Sequence, residues 1–371
     1  MNDMMSILFA SGNESKLNEL TLHRTTASLP FGGRYRLIDF TLSNLVNSNI
    51  TQIGIITNSK YQSLMDHIRQ GRDWDLNRKN GGISVFPPFV YNNSSSEVYK
   101  GKIEAIYSIL DFLTKSREEY VVIANCNVAA NINYEDVFEK HVASGAKLTV
   151  LCHDGFTTTS RRIVIERDEN NFVTDVYETE IASSEEKEIS LNSYVIKKDL
   201  LLELVKKAYA RGQVDFEKEI LFKLVENKEV YAYKIDSYAA IVDDVKTYYN
   251  ESMSLLNKDV RDQLFNDDNA IYTKVKDSVP TVYKSGAKVT NTLLADGCVI
   301  NGTVENSILF RGVRVEEGAV VKNSIVMENG VIGKNSSLKY AITDKEVTIS
   351  ENREIAGFST YPIVIVKGKT V

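Results

Sequence analysis

RTTASLPFGGRYRLIDFTLSNLVNS, residues 24–48, is the most distinctive run in the chain and fixes how the residues on either side of it are read. Its second half, Leu37–Asn47, has the apolar spacing of a helix, and Ser6–Ala10 ahead of it reads as a first strand. Working outward, Ile53–Thr57 is a second strand and Ser63–Arg69 and Gly101–Leu113 are helices. Tyr120–Ala124 is an apolar strand that delivers Asn125, Cys126 and Asn127 to its C-terminal end. Further strands are expected at Leu148–Cys152, Ile163–Glu166, Val173–Tyr177 and Ser193–Ile196, and helices at Asp199–Ala210 and Phe216–Asn227; the segment Ser193–Val230 carries no functional signal. Short β-branched runs alternating with helical ones imply an α/β unit. Its mostly parallel sheet would be covered by helices, with ligands at the C-terminal ends of the strands.

Beyond Leu256 the pattern changes. Asn257–Lys276 is polar and charged, a connector, and Ser278-Val279-Pro280 marks an extended crossing. From Ala295 the chain falls into six-residue blocks, ADGCVI, NGTVEN, SILFRG, VRVEEG and onward. Small residues recur at Gly312, Gly318, Ser324, Gly330 and Ser336, and aliphatics at Ile308, Val320, Val326, Ile332 and Leu338. That period marks hexapeptide repeats, whose triangular coils bury inward aliphatics against one another in a parallel β-helix. Tyr361–Val366 reads as a closing strand. The expected division is a first domain over 1–256, a linker over 257–282 and the β-helix over 283–371.

With 371 residues, 43% hydrophobic and 25% charged, the chain has the composition of a soluble globular protein large enough for two cores. A net charge of −6 without any Lys/Arg run argues against nucleic acid or an anionic membrane as the main partner. The N-terminal apolar run is too short for a signal segment, and no apolar stretch of about 18 residues follows, so a cytoplasmic location is expected. Cys126, Cys152 and Cys298 lack metal-ligand spacing and read as buried free thiols. His67 reads as a surface or capping residue, and Trp74 and Tyr107 as packing residues.

Residues 24–48, together with the upstream loop Phe9-Ala10-Ser11-Gly12-Asn13-Glu14-Ser15-Lys16-Leu17 and the hexapeptide block, resemble the bacterial ADP-glucose pyrophosphorylase (glucose-1-phosphate adenylyltransferase) family over nearly the whole chain. The likeness is to its non-catalytic, regulatory kind of subunit. It implies a Rossmann-like, GT-A-like nucleotidyltransferase domain followed by a left-handed β-helix, a role in glycogen biosynthesis, and assembly as a tetramer with a catalytic sibling.

Nucleotidyl transfer needs backbone amides and cations around a triphosphate, and a divalent metal held by carboxylates. Against the family's loop, Leu-Ala-Gly-Gly-x-Gly-x-Arg-Leu, this chain has Ser11 for a glycine, Asn13 for a cation and Glu14 for the last glycine, with Gly12 and the charge of Lys16 kept. Thr26 stands where the signature has Lys. The first metal Asp falls on Asn127, preceded by Cys126. Ungapped counting from Tyr248-Tyr249 puts the second on Ile241, with Asp243 or Asp244 as gapped alternatives. The resemblance maps the sugar-phosphate pocket onto Tyr99, Gly101, Glu104, Glu178 and Ser190, with Thr179 replacing a Lys and Asn58-Ser59 a Gln-Tyr pair. Arg24 and Arg36 match positions associated with sugar-phosphate effectors, to which Lys367 and Lys369 could add charge; Arg34 and Arg36 could instead pair with Asp39.

The expectation is therefore a catalytically impaired regulatory subunit without cofactor, Mg²⁺ being needed only if the chain were active. A divergent active nucleotidyltransferase is the alternative. A hexapeptide acyltransferase is disfavoured, because His23, His67, His141 and His153 all precede the repeats and such enzymes take their base from a His near the coils.

Overall fold

The computed structural model describes residues 3–12, 14–58, 60–88, 99–155, 158–181 and 186–371. Asn13 and Ser59 lie outside these residues. The first unit is built on a nine-stranded mixed sheet. Its parallel part joins Tyr120–Asn125, Met4–Phe9, Gln52–Ile56 and Gly82–Phe86, with Phe9 paired to both Ile56 and Asn125. Lys187–Lys197 runs antiparallel to Tyr120–Asn125 and to Leu148–Gly155, and Thr158–Arg167 pairs antiparallel with Val173–Ile181. The sheet is thus less parallel than its strand–helix alternation implies. Apolar residues on its two faces pack into separate clusters, one around Leu8, Ile55 and Val122 and the other around Ile7, Val121 and Tyr194.

The helix over Leu37–Asn47 falls on the expected residues. The expected Gly101–Leu113 helix is broken: Lys102–Ser108 and Leu110–Lys115 are separated at Ile109, whose φ of −112° and ψ of 19° leave the helical region. Within the polar connector only Lys258–Leu264 is an α-helix. His67 is buried against Asp39 rather than on the surface, because the acid offers its ring a hydrogen bond inside the core. Trp74 is buried, while Tyr107 stacks on Tyr209 at the surface. All three cysteines are buried and free. Among the described residues no helix is long and apolar enough to cross a membrane.

The second unit is a left-handed parallel β-helix with three faces. Its register pairs Arg314 with Val331, Val320 with Ser337 and Ile325 with Ile342, each partner 17 positions further on. Strict six-residue blocks would make each coil one residue longer, so the block frame slips by one place per coil. That slip overturns Val320 as an inward residue: it is half-buried, and Val321 fills the core instead, in line with Val315, Val326, Ile332 and Leu338. Ile308 faces the other way, toward the α/β unit.

The joint between the units explains the conspicuous stretch. Phe31, Phe40, Tyr248 and Leu255 pack with Ile308, Phe310, Ile325, Met327 and Ile342 in one cluster. Gly33 takes a φ of 83° and lies so close to the coils that a Cβ there would touch Ala295 and the Leu309 carbonyl. Tyr248 donates to the Pro30 carbonyl at 2.7 Å, and Tyr249 to that of Asn323 at 2.6 Å. Residues 24–48 therefore seat the β-helix on the first domain.

Candidate functional site

Where the parallel strands end, the chain turns away from the sheet and leaves a cleft of about 330 Å³, walled by Ser11, Gly12, Thr26, Lys102, Asn127, Arg162, Glu178 and Asp243 among others. A smaller cavity of about 190 Å³ adjoins it, sharing Phe9, Ser11 and Lys102 and adding Asn58, Tyr99 and Gly101. Gly101 is required there by space: a Cβ would meet the Val214 carbonyl oxygen at 2.3 Å.

The loop after the first strand satisfies its own polar groups. Gly12 N–H donates to Glu14 Oε1 at 3.0 Å, the Thr26 hydroxyl donates to the Gly12 carbonyl, and Ser11 Oγ accepts from Asn58 N–H at 3.0 Å. The carboxylate of Glu14 thus holds an amide that an anion-binding loop would offer to a phosphate. Lys16 lies exposed on the short helix Glu14–Leu17 and is not part of the cleft wall.

Deeper in, the charges close on each other. Asn127 Nδ2 donates to Asp243 Oδ1 at 2.8 Å and to the Val242 carbonyl at 3.2 Å, and Arg162 meets Asp243 Oδ2 at 2.7 Å. Burial pulls the Arg162 guanidinium below its usual pKa, and Asp243 pulls the other way. Lys102 pairs with Glu217, and Lys218 lies 3.8 Å from both Glu178 and Asp215. The wall carries four cations, Lys102, Arg161, Arg162 and Lys218, and four acids, Glu178, Asp215, Glu217 and Asp243, so it offers little net attraction to a polyphosphate.

Ile241 is corrected as the second acid position. Its strand Ala239–Ile241 pairs with Val128–Ala130, and its side chain sinks into the apolar cluster, outside the cleft wall. The acid beside Asn127 is Asp243; Asp244 caps the helix Val245–Ser254 by accepting from Thr247 N–H. A carboxylate therefore survives, contrary to the ungapped count. Glu104 accepts from Lys100 N–H at 2.6 Å at a helix start, and Ser190 is buried and accepts from Asn192 N–H; neither lines the cleft. Asp215, Glu217 and Lys218, from a segment that reads as featureless, do line it. One Arg in a strand carries no motif, so nothing in the sequence singles out Arg162.

Mg²⁺, which the family resemblance implies, does not suit these residues. The pair Asn127 and Asp243 supplies one carboxylate, and a guanidinium already neutralises it. Among the described residues no group of three or more His, Cys, Asp or Glu side chains could hold a metal.

At the domain joint, Arg24 is corrected from an effector contact to a structural one: it is 3% exposed and grips both Asp344 oxygens, at 2.7 and 2.8 Å. Arg36 donates to Ser63 Oγ and the Ser63 carbonyl, while its backbone N–H reaches Asp39; Arg34 lies over the Tyr35 ring. Lys367 sits near Glu346 and Lys369 is exposed in the tail. The lysines that gather with Arg36 are Lys345 and Lys276, at 2.8 and 3.3 Å from Glu328. Burial would raise the Glu328 carboxyl, but Lys345, Lys276 and Arg36 outweigh it and hold it at about 2. Burial and Arg36 push Lys345 down to about 8, because one acid is shared among several cations. A carboxyl depressed in the folded state stabilises it above the unfolded pKa and loses that contribution as pH falls. Urea midpoints are expected to drop between pH 4.5 and about 2, and the Glu328→Gln variant to show a flatter acid limb over that window.

The nucleotidyl transferase family matches residues 5–257, and a GlmU-like, C-terminal hexapeptide family matches 278–359. The glycogen biosynthesis protein GlgD of Bacillus subtilis (strain 168) is 34% identical over 367 residues, covering 99% of this chain and 96% of the relative. The glucose-1-phosphate adenylyltransferase of Fervidobacterium nodosum is 32% identical, with 96% and 86% covered. That of Bacillus anthracis is 33% identical, with 94% and 93% covered. An α/β sheet ending in a polar cleft, a hexapeptide coil seated on it, and likeness at this level along the whole length agree: the chain belongs to the ADP-glucose pyrophosphorylase (glucose-1-phosphate adenylyltransferase) family and is of the GlgD type.

Proposed function

We infer that this chain is a regulatory, catalytically impaired subunit of glucose-1-phosphate adenylyltransferase in glycogen biosynthesis, working in the cytoplasm in a hetero-oligomer, a tetramer, with a catalytic sibling. The observation that carries the reading is the closed set of Asn127, Asp243 and Arg162, in which the cleft's surviving acid is already paired. The loop adds to it, since Glu14 holds the Gly12 amide. The chain acts without a metal of its own, and we divide it at 1–256, 257–282 and 283–371. A phosphorylated effector would meet Arg36, Lys276 and Lys345 at the joint, where several cations share Glu328. The degenerate positions Glu14, Thr26 and Asn127 mark the lost chemistry, and Tyr99, Gly101 and Glu178 the remaining cavity.

Asp243 in the cleft favours a second reading, a divergent active nucleotidyltransferase. One assay separates the two: ADP-glucose formation from ATP, glucose 1-phosphate and Mg²⁺, with the chain alone and mixed with a catalytic sibling. The first reading expects no turnover alone and an altered rate or effector response in the mixture. The second expects turnover by the chain alone that disappears in Asp243→Asn.

A further inference from the structure

The impaired cleft has a specific lock. Arg162 and Asp243 are each more than nine-tenths buried, and their contact at 2.7 Å places a permanent positive charge on the acid beside Asn127. Two buried side-chain atoms on the same wall lack a hydrogen-bond partner among the described residues, Asn127 Oδ1 and Arg162 Nε. Among the described residues the further hydrogen bond of Arg162 is a long one, 3.5 Å to the Ile241 carbonyl. Asp243 is therefore the guanidinium's main partner, with Asp244 and Glu251 adding attraction from further off. An ion pair of this kind takes its stability from the charge on its partner, and any second cation brought to that partner meets direct repulsion at short range in a medium of low dielectric.

We propose that Arg162 is the cleft's resident cation: it stands in for a divalent metal at Asp243 and excludes one, over a latent metal site that needs two changes to open. The inference rests on the regulatory reading above and names what closes the site. One change restores acid beside Asp243, Asn127→Asp; the other removes the competing charge, Arg162→Gln. Asn127→Asp alone is insufficient, because the forked guanidinium can bridge two carboxylates as readily as it holds one. With both changes the guanidinium no longer lies between two facing carboxylates, and carboxylate oxygens are the ligands that Mg²⁺ and Mn²⁺ select.

The test is an Mn²⁺ titration of the full chain followed by electron paramagnetic resonance, which reads the free ion and needs no turnover. Wild type and Asn127→Asp are expected to leave Mn²⁺ free, and the double variant to bind at least about tenfold more tightly than Asn127→Asp, as removal of the competing guanidinium implies. Asn127→Asp/Arg162→Lys keeps a cation in place and is expected to bind no better than Asn127→Asp, which distinguishes charge from loss of bulk. Mn²⁺ bound in the wild-type cleft and lost in Asp243→Asn overturns the proposal, as does Asn127→Asp binding as tightly as the double variant, or a folded double variant that binds nothing. Should the Gln variant fail to fold, Asn127→Asp/Arg162→Met and the wild-type titration carry the same decision. A wild-type chain that binds Mn²⁺ yet makes no ADP-glucose would refute this inference and leave the regulatory reading standing; turnover by the chain alone would refute that reading.

Discussion

Asp344→Ala is expected to lower the stability of the folded chain by about 3–5 kcal/mol, the usual consequence of stranding one member of a buried ion pair. Arg24 would be the stranded charge. It reaches out of the signature stretch into the β-helix, where Nη2 donates to both Asp344 oxygens at 2.7 and 2.8 Å and Nη1 reaches the Met327 sulfur at 3.9 Å. Apolar cluster residues, Tyr248 and Met327 among them, lie beside the pair and cannot replace the lost acid. The double change Arg24→Met/Asp344→Leu should recover most of the loss, since well-packed apolar side chains often equal a buried ion pair in stability. Thermal and urea melts of the three variants check this. An effector-binding Arg24, by contrast, would leave Asp344→Ala with a near-native melt and a changed anion response.

Much of the fold was open to reading because burial writes itself into apolar spacing. The strand at Met4–Phe9 and the helix at Leu37–Asn47 each carry an unbroken apolar face, and both lie within about two residues of where their spacing puts them. Breaks are harder to see. Ile109 ends one helix and starts another although its side chain continues the apolar stripe, because the interruption lies in backbone angles rather than in residue type. The β-helix was recognisable by its repeat, but the repeat length was masked by six-residue blocks that fit a coil or two before drifting. The clearer signal was a set of left-handed corners recurring at the coil length. Asn306, Asn323 and Tyr340 form one series, Gly312, Asn329 and Glu346 a second, and Gly318, Asn335 and Asn352 a third, all at positive φ. Most are Gly or Asn, the residues that tolerate that conformation best.

The cleft was less legible, for a physical reason. A carboxylate, an amide and a guanidinium from three distant segments make one electrostatic unit only after the sheet brings them together, and counting along one segment cannot weigh that. Asn127 is reached by counting because it follows closely on the apolar strand Tyr120–Asn125. Ungapped counting from Tyr248-Tyr249 lands on Ile241 because the strand Ala239–Ile241 turns its last side chain into the core and the acid comes two residues later. The stretch with Asp215, Glu217 and Lys218 shows no motif, since a cleft wall of paired charges resembles any solvated surface.

The loss of turnover is the largest effect the charge pattern implies. Metal and oriented donors supply most of the stabilisation of charge developing during phosphoryl and nucleotidyl transfer, so under the proposed function an acid already paired with Arg162 and an amide already held by Glu14 would remove it at two places. The decisive measurement is ADP-glucose formation by the isolated chain, supplied with ATP, glucose 1-phosphate and saturating Mg²⁺. A rate at least about 10³-fold below that of a catalytic relative is the expected result. A rate within about tenfold of that relative, abolished by Asp243→Asn, would show that the cleft still works as an active site and contradict the account.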